Sequence, residues 1–136
     1  MSATKAKNLF DRQRFEAFIL GLAAVEIVHQ WGDASVGKVG GKIFALYTDR
    51  SENDEFQIAF KCSDMSFEML PLLAGVRAAK YLARAKWVDV SASSELGEND
   101  LRAYINQAHR LVAGKLTKRV KTELGLSAGI FNNKAL

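Results

Sequence analysis

The sequence predicts a two-layer α+β domain: an antiparallel sheet with the N- and C-terminal helices packed on one face. Three observations carry this reading. Between residues 27 and 61 lie several short segments of strand character, joined by connections too short to hold a crossover helix. The segments 10–22 and 101–124 repeat apolar residues at helical spacing. At 136 residues, 49% hydrophobic and 25% charged, the chain is long enough to bury one core and too apolar for wholesale disorder. One domain over residues 8–125 is expected, with loose tails at 1–7 and 126–136.

The elements follow in order. Asn8 is placed to cap a first helix carrying Phe10, Phe15, Phe18, Ile19 and Leu22. Ile27-Val28-His29-Gln30-Trp31 reads as a first strand and residues 36–39 as a second. Gly40-Gly41 suits a two-residue hairpin turn that needs positive φ, and Lys42 to Tyr47 makes the third strand. After a polar loop, residues 55–61 alternate cleanly as a fourth. Ser63 or Ser66 can cap a short helix that Pro71 breaks. Residues 79–82 are expected to be extended, and residues 86–90 form a strand. Asn99 or Asp100 then caps the longest helix, with Leu101, Tyr104, Ile105, Ala108, Leu111 and Val112 on one face. Gly114 is expected to kink it, while Leu116, Val120 and Leu124 continue the stripe to a terminating Gly125.

Composition excludes several classes. No apolar run reaches the ~18 residues of a membrane span, and no signal-type stretch follows the short basic N-terminus, so a cytoplasmic location is expected. One cysteine, Cys62, cannot form an intramolecular disulfide or a thiolate metal site. The net charge of +4 is uneven. Residues 101–136 hold seven bases against one acid, and a second acid-free stretch carries Arg77, Lys80, Arg84 and Lys86. Such clusters attract phosphates or an acidic partner.

Enzymatic readings find little support. His29 and His109 lie on different elements without metal-binding spacing, so no metal or other cofactor is expected. Cys62 would need a histidine beside it to act as a nucleophile, and a small buried core residue is the commoner case. The glycines and lysine of residues 37–42 lack the phosphate-loop spacing, and the acids of 49–55 lack the glycine and final glutamate of a calcium loop. Phe44 and Trp87 read as core residues. Lys38 and Lys42, flanking the hairpin turn, are placed to contact a phosphate backbone. Lys115, Lys118 and Arg119, three and four apart, would share one face of a continuous helix.

The order of motifs resembles the MmcQ/YjbR family of small bacterial proteins. The matching pieces are His29-Gln30-Trp31-Gly32, Val39-Gly40-Gly41-Lys42-Ile43-Phe44-Ala45, Phe60-Lys61-Cys62, Gly75-Val76-Arg77, Tyr81-Leu82, Lys86-Trp87-Val88, the helix opening at Leu101, and Leu116-Thr117-Lys118-Arg119. Ala78, Ala108-His109 and Thr117 depart from residues the family often carries there: Pro, Ser-Tyr and Pro. The resemblance implies a CyaY-like fold and DNA binding through a double-wing arrangement, with no catalytic residues. The expected phosphate contacts are Lys38, Lys42, Arg77, Lys80, Arg84, Lys86, Lys115, Lys118 and Arg119. Two alternatives stand beside DNA: an acidic protein partner, and a small ligand held between sheet and helices by Trp31, Tyr81 and Tyr104.

Overall fold

The computed structural model describes residues 8–31, 33–48, 55–79 and 82–126. The expected contact Lys80 and the pocket residue Tyr81 lie outside them. Six antiparallel strands form one open sheet in the order β1-β2-β3-β4-β6-β5. They are β1 (Val25–Gln30), β2 (Ala34–Val39), β3 (Lys42–Tyr47), β4 (Phe56–Lys61), β5 (Val76–Ala78) and β6 (Trp87–Ser91). The helices are α1 (Arg12–Leu20), α2 (Asp64–Met69), α3 (Glu98–Gly114) and α4 (Lys118–Glu123).

Helix α1 begins later than the sequence suggests. Asn8 opens a short 3-10 turn, and the cap is Asp11, whose carboxylate accepts from the Arg14 N–H at 3.1 Å. β1 spans Val25–Gln30 rather than 27–31, because Ala24 and Trp31 bracket it in left-handed backbone (φ 58° and 53°). Glu16 fastens α1 to the first hairpin by accepting hydrogen bonds from Ser35 and His29. Burial works against its charge, but those two hydrogen bonds and nearby Arg12 hold its pKa below the ordinary value.

Between β2 and β3 the register slips by one residue, with Gly37 facing Ala45 and Lys38 facing Ile43. Phe44 is the extra residue of this bulge. Phe44 and Ala45 therefore both enter the helix-side core, while Ile43 and Leu46 pack on the other face. The helix-side core joins Phe15 and Ile19 of α1, Leu101, Ile105 and Ala108 of α3, and Phe44, Ile58, Phe60, Val88 and Val90 of the sheet. Trp87 and Phe44 are buried, as their sequence context predicts. Leu126, expected to open the tail, is fully buried in the same core.

Four expectations in the second half are corrected. The extended piece after Gly75 is Val76–Ala78, paired with β6, and Leu82 lies in a turn. β6 starts at Trp87, since Lys86 holds a left-handed φ of 66°. α3 is capped by Gly97, so Asn99 and Asp100 fall in its first turn. Gly114 ends α3 rather than kinking it, and Thr117 caps a separate α4 through its hydroxyl.

His109 is buried in this core, with Nε2 donating to the Ala23 carbonyl at 2.8 Å and the ring edge-on to Phe44. Burial pushes its pKa below the ordinary 6.5, against the opposing effect of that hydrogen bond. The unfolded chain then takes the proton first, so stability is complete above the unfolded value and falls as pH drops below about 6.5. Melting temperature should decrease between pH 7.5 and 5, and decrease less in His109→Gln, which keeps a neutral donor. Equal losses in both proteins would exclude His109 as the source.

Candidate nucleic-acid interface

The antiparallel registers bring distant lysines to one end of the sheet. Val39 faces Lys42 at the β2–β3 turn, Ala45 faces Phe60, and Lys61 faces Trp87. The hairpin turn, the end of β4 and the start of β6 are therefore neighbours. Gly40 and Gly41 both have positive φ (60° and 81°), as the two-residue turn requires. Gly40 packs so tightly on Leu116 that a Cβ there would stand 2.6 Å from its Cδ1. This contact brings the junction of α3 and α4 to the same end.

Lys61 is the centre of the arrangement, and the sequence reading did not single it out. Its ammonium donates to the Ala85 carbonyl. Burial lowers its pKa, Lys115 lowers it further and Lys86 adds to this, against Cys62 and Asp64. Lys86 and Lys115 thus both stand within electrostatic reach of Lys61, although 25 and 54 positions separate it from them. Lys86 lies over the Phe67 ring, 5.2 Å from its centroid, and Arg84 is exposed just before it. The local signs of Lys61 were its place at the end of an alternating strand and in the Phe60-Lys61-Cys62 motif, and neither pointed to phosphate contact. Its neighbours follow from register, which is a long-range property.

The remaining expected contacts divide. Lys42 is exposed at the turn, and Lys38 is half-buried opposite Glu26 of β1. Lys115 caps the C-terminus of α3 and Lys118 opens α4, so a continuous helix face shared by Lys115, Lys118 and Arg119 does not form. Lys118 and Arg119 are exposed, and Arg119 pairs with Glu123 at 3.4 Å. Arg77 is on β5, paired with Asp89 at 3.1 Å and stacked 3.9 Å over Phe56. It lines a shallow cavity of about 270 Å³ with Leu46, Ala59, Ala79 and Asp89. Trp31 is exposed and Tyr104 stacks on Phe60, so neither lines that cavity.

Burial raises the Cys62 thiol to about 12, leaving little thiolate at neutral pH. His29 is engaged by Glu16 and His109 by Ala23, rather than aligned on the sulfur. Among the described residues no group of three or more His, Cys, Asp or Glu could hold a metal ion. No helix among them is long and apolar enough to cross a membrane.

A six-stranded antiparallel sheet with helices on one side and lysines gathered at one end defines a small α+β class. The chain belongs to the YjbR family, whose model matches residues 20–111. DR2400 of Deinococcus radiodurans, described with a DUF419 domain, is 22% identical; the match covers 84% of this chain and 87% of that one, with a TM-score of 0.70. A Pseudomonas syringae protein, structural genomics target PsR293, is 18% identical over 74% of this chain and 97% of its own, with a TM-score of 0.61. No protein of curated function matches the sequence.

Proposed function

We propose that the protein binds DNA without catalysis, through phosphate contacts made by the basic end of the sheet. The observation that carries this reading is the convergence of Lys61, Lys86 and Lys115 beside the Lys42 hairpin turn. Four ammonium groups from separate elements suit a phosphate backbone, which presents charge at regular intervals. Lysines hold phosphate as point charges and carry no base-edge geometry, so the contacts position the duplex rather than read it. Lys118, Arg119 and Arg84 extend the surface.

Fluorescence anisotropy with random duplex DNA tests the proposal. Neutralising about four phosphates gives a log–log salt slope near −3.6, or roughly a 150-fold loss of affinity between 50 and 200 mM salt. The slope should not change with DNA sequence. No binding at low salt would refute DNA binding and turn attention to an acidic protein partner, which would bind saturably while random DNA did not.

A further inference from the structure

Three of the seven large apolar side chains exposed among the described residues fall in one short stretch. Met65, Met69 and Leu72 are 70%, 54% and 84% exposed. The spacing of four stacks Met69 over Met65 on α2, and Leu72 extends the ridge in the 3-10 turn Leu70–Leu72. Scattered apolar residues on a surface are ordinary, but a contiguous ridge marks an interaction site.

The ridge stands on a fixed platform. Ser63 caps α2 with its hydroxyl 3.1 Å from the Ser66 N–H, and Leu70 is buried in the core. Beyond the turn, the Ala74 N–H donates to Glu95 at 2.9 Å, and Gly75 lies hard against Ser94. A preformed surface avoids the ordering cost of a loose one, and methionine adapts its shape to a partner. Asp64 and Glu68, both exposed, each precede a methionine and form an acidic row along the ridge. Lys61 lies within electrostatic reach of Asp64 and Lys86 lies over Phe67, so the row borders the basic end.

We propose that this ridge docks a basic amphipathic helix of a partner protein. Its apolar side chains at i, i+4 and i+7 would cover Met65, Met69 and Leu72, and its lysines or arginines would meet Asp64 and Glu68. Charge selects this occupant: nucleic acid and anionic lipid carry the same sign as the acidic row. The ridge serves a cationic partner, whereas the lysine end serves an anionic one.

The test uses labelled Leu/Lys and Leu/Glu peptides of about 15 residues, long enough to form amphipathic helices, titrated with the full chain. The Leu/Lys peptide should bind despite the protein's net charge of +4, whereas any hold on the Leu/Glu peptide belongs to the lysine end and should not change in the ridge variants. The Leu/Lys affinity should fall by about tenfold or more in Met65→Ser/Met69→Ser/Leu72→Ser, and also in Asp64→Asn/Glu68→Gln. All five positions lie at the surface, and circular dichroism melts confirm that both variants fold. Absence of Leu/Lys binding, unchanged Leu/Lys affinity in the Ser variant, or loss of Leu/Glu binding in that variant would each overturn the proposal. So would a dimer of the free chain that the Ser variant dissolves, because the ridge would then belong to a second copy.

Discussion

Lys61→Glu combined with Lys115→Glu is expected to lower affinity for random duplex DNA by on the order of 100-fold at low salt, and to flatten the salt slope by about 2. The two residues lie on separate elements but act at one place, Lys61 closing β4 and Lys115 capping α3. Each reversal removes a neutralised phosphate and adds a repulsive charge. Lys61→Gln gives the necessary control, since it removes the charge and keeps a donor for the Ala85 carbonyl. Lys118→Glu with Arg119→Glu should have a smaller effect, because Glu123 already offsets Arg119 on an exposed helix. If the α4 pair proves the more damaging, the interface is centred on α4 and not on the sheet end. Anisotropy on all three variants, with thermal melts to confirm folding, separates these outcomes.

Gly75→Ala is expected to destabilise the fold by about 2–5 kcal/mol, combining left-handed backbone strain with overpacking. Gly75 has φ +84°, and a Cβ there would stand 2.4 Å from the Ser94 Cα and 2.9 Å from the Ser91 Oγ. The backbone cannot yield easily, because the Gly75 carbonyl accepts from the Ser91 N–H at 3.0 Å and the Ala74 carbonyl from the Glu95 N–H at 2.9 Å. Gly41→Ala provides the comparison: φ is +81° but nothing lies within 4 Å of the added carbon. Only the strain, about 1–2 kcal/mol, should appear there. Urea denaturation of both variants measures the difference, and equal losses would mean that the close approach to Ser94 has no energetic weight.

What the sequence made legible was local. Gly40-Gly41 announced a turn because only glycine takes two successive positive φ angles at low cost, and the turn is found there. Pro71 marked the end of α2 because it cannot donate a helical hydrogen bond. The alternation of residues 55–61 marked β4. The errors come from backbone geometry that residue type does not encode. Ala24, Trp31 and Lys86 are left-handed without being glycine, and each shifts a strand boundary. The apolar stripe through Leu116 and Val120 suggested one long helix, yet Thr117 caps a new one. For the site, the individual lysines were visible, but Lys61 acquired its meaning only from the pairing of β4 with β6.

The length of α3 has a consequence for encounter with any polyanion. Glu98 in its first turn is paired with Arg102, which leaves Asp100 as the acidic pole, and Lys115 is its last cap, about 22 Å from Asp100 at 1.5 Å per residue. Opposite charges separated by that distance give the molecule a lever arm in an external field. The carboxylate is repelled while the ammonium groups are drawn in, so the approaching protein is rotated before any contact forms. Productive collisions would then be a larger share of all collisions than surface area alone allows, an advantage that shrinks as added salt shortens the ~10 Å reach of the field.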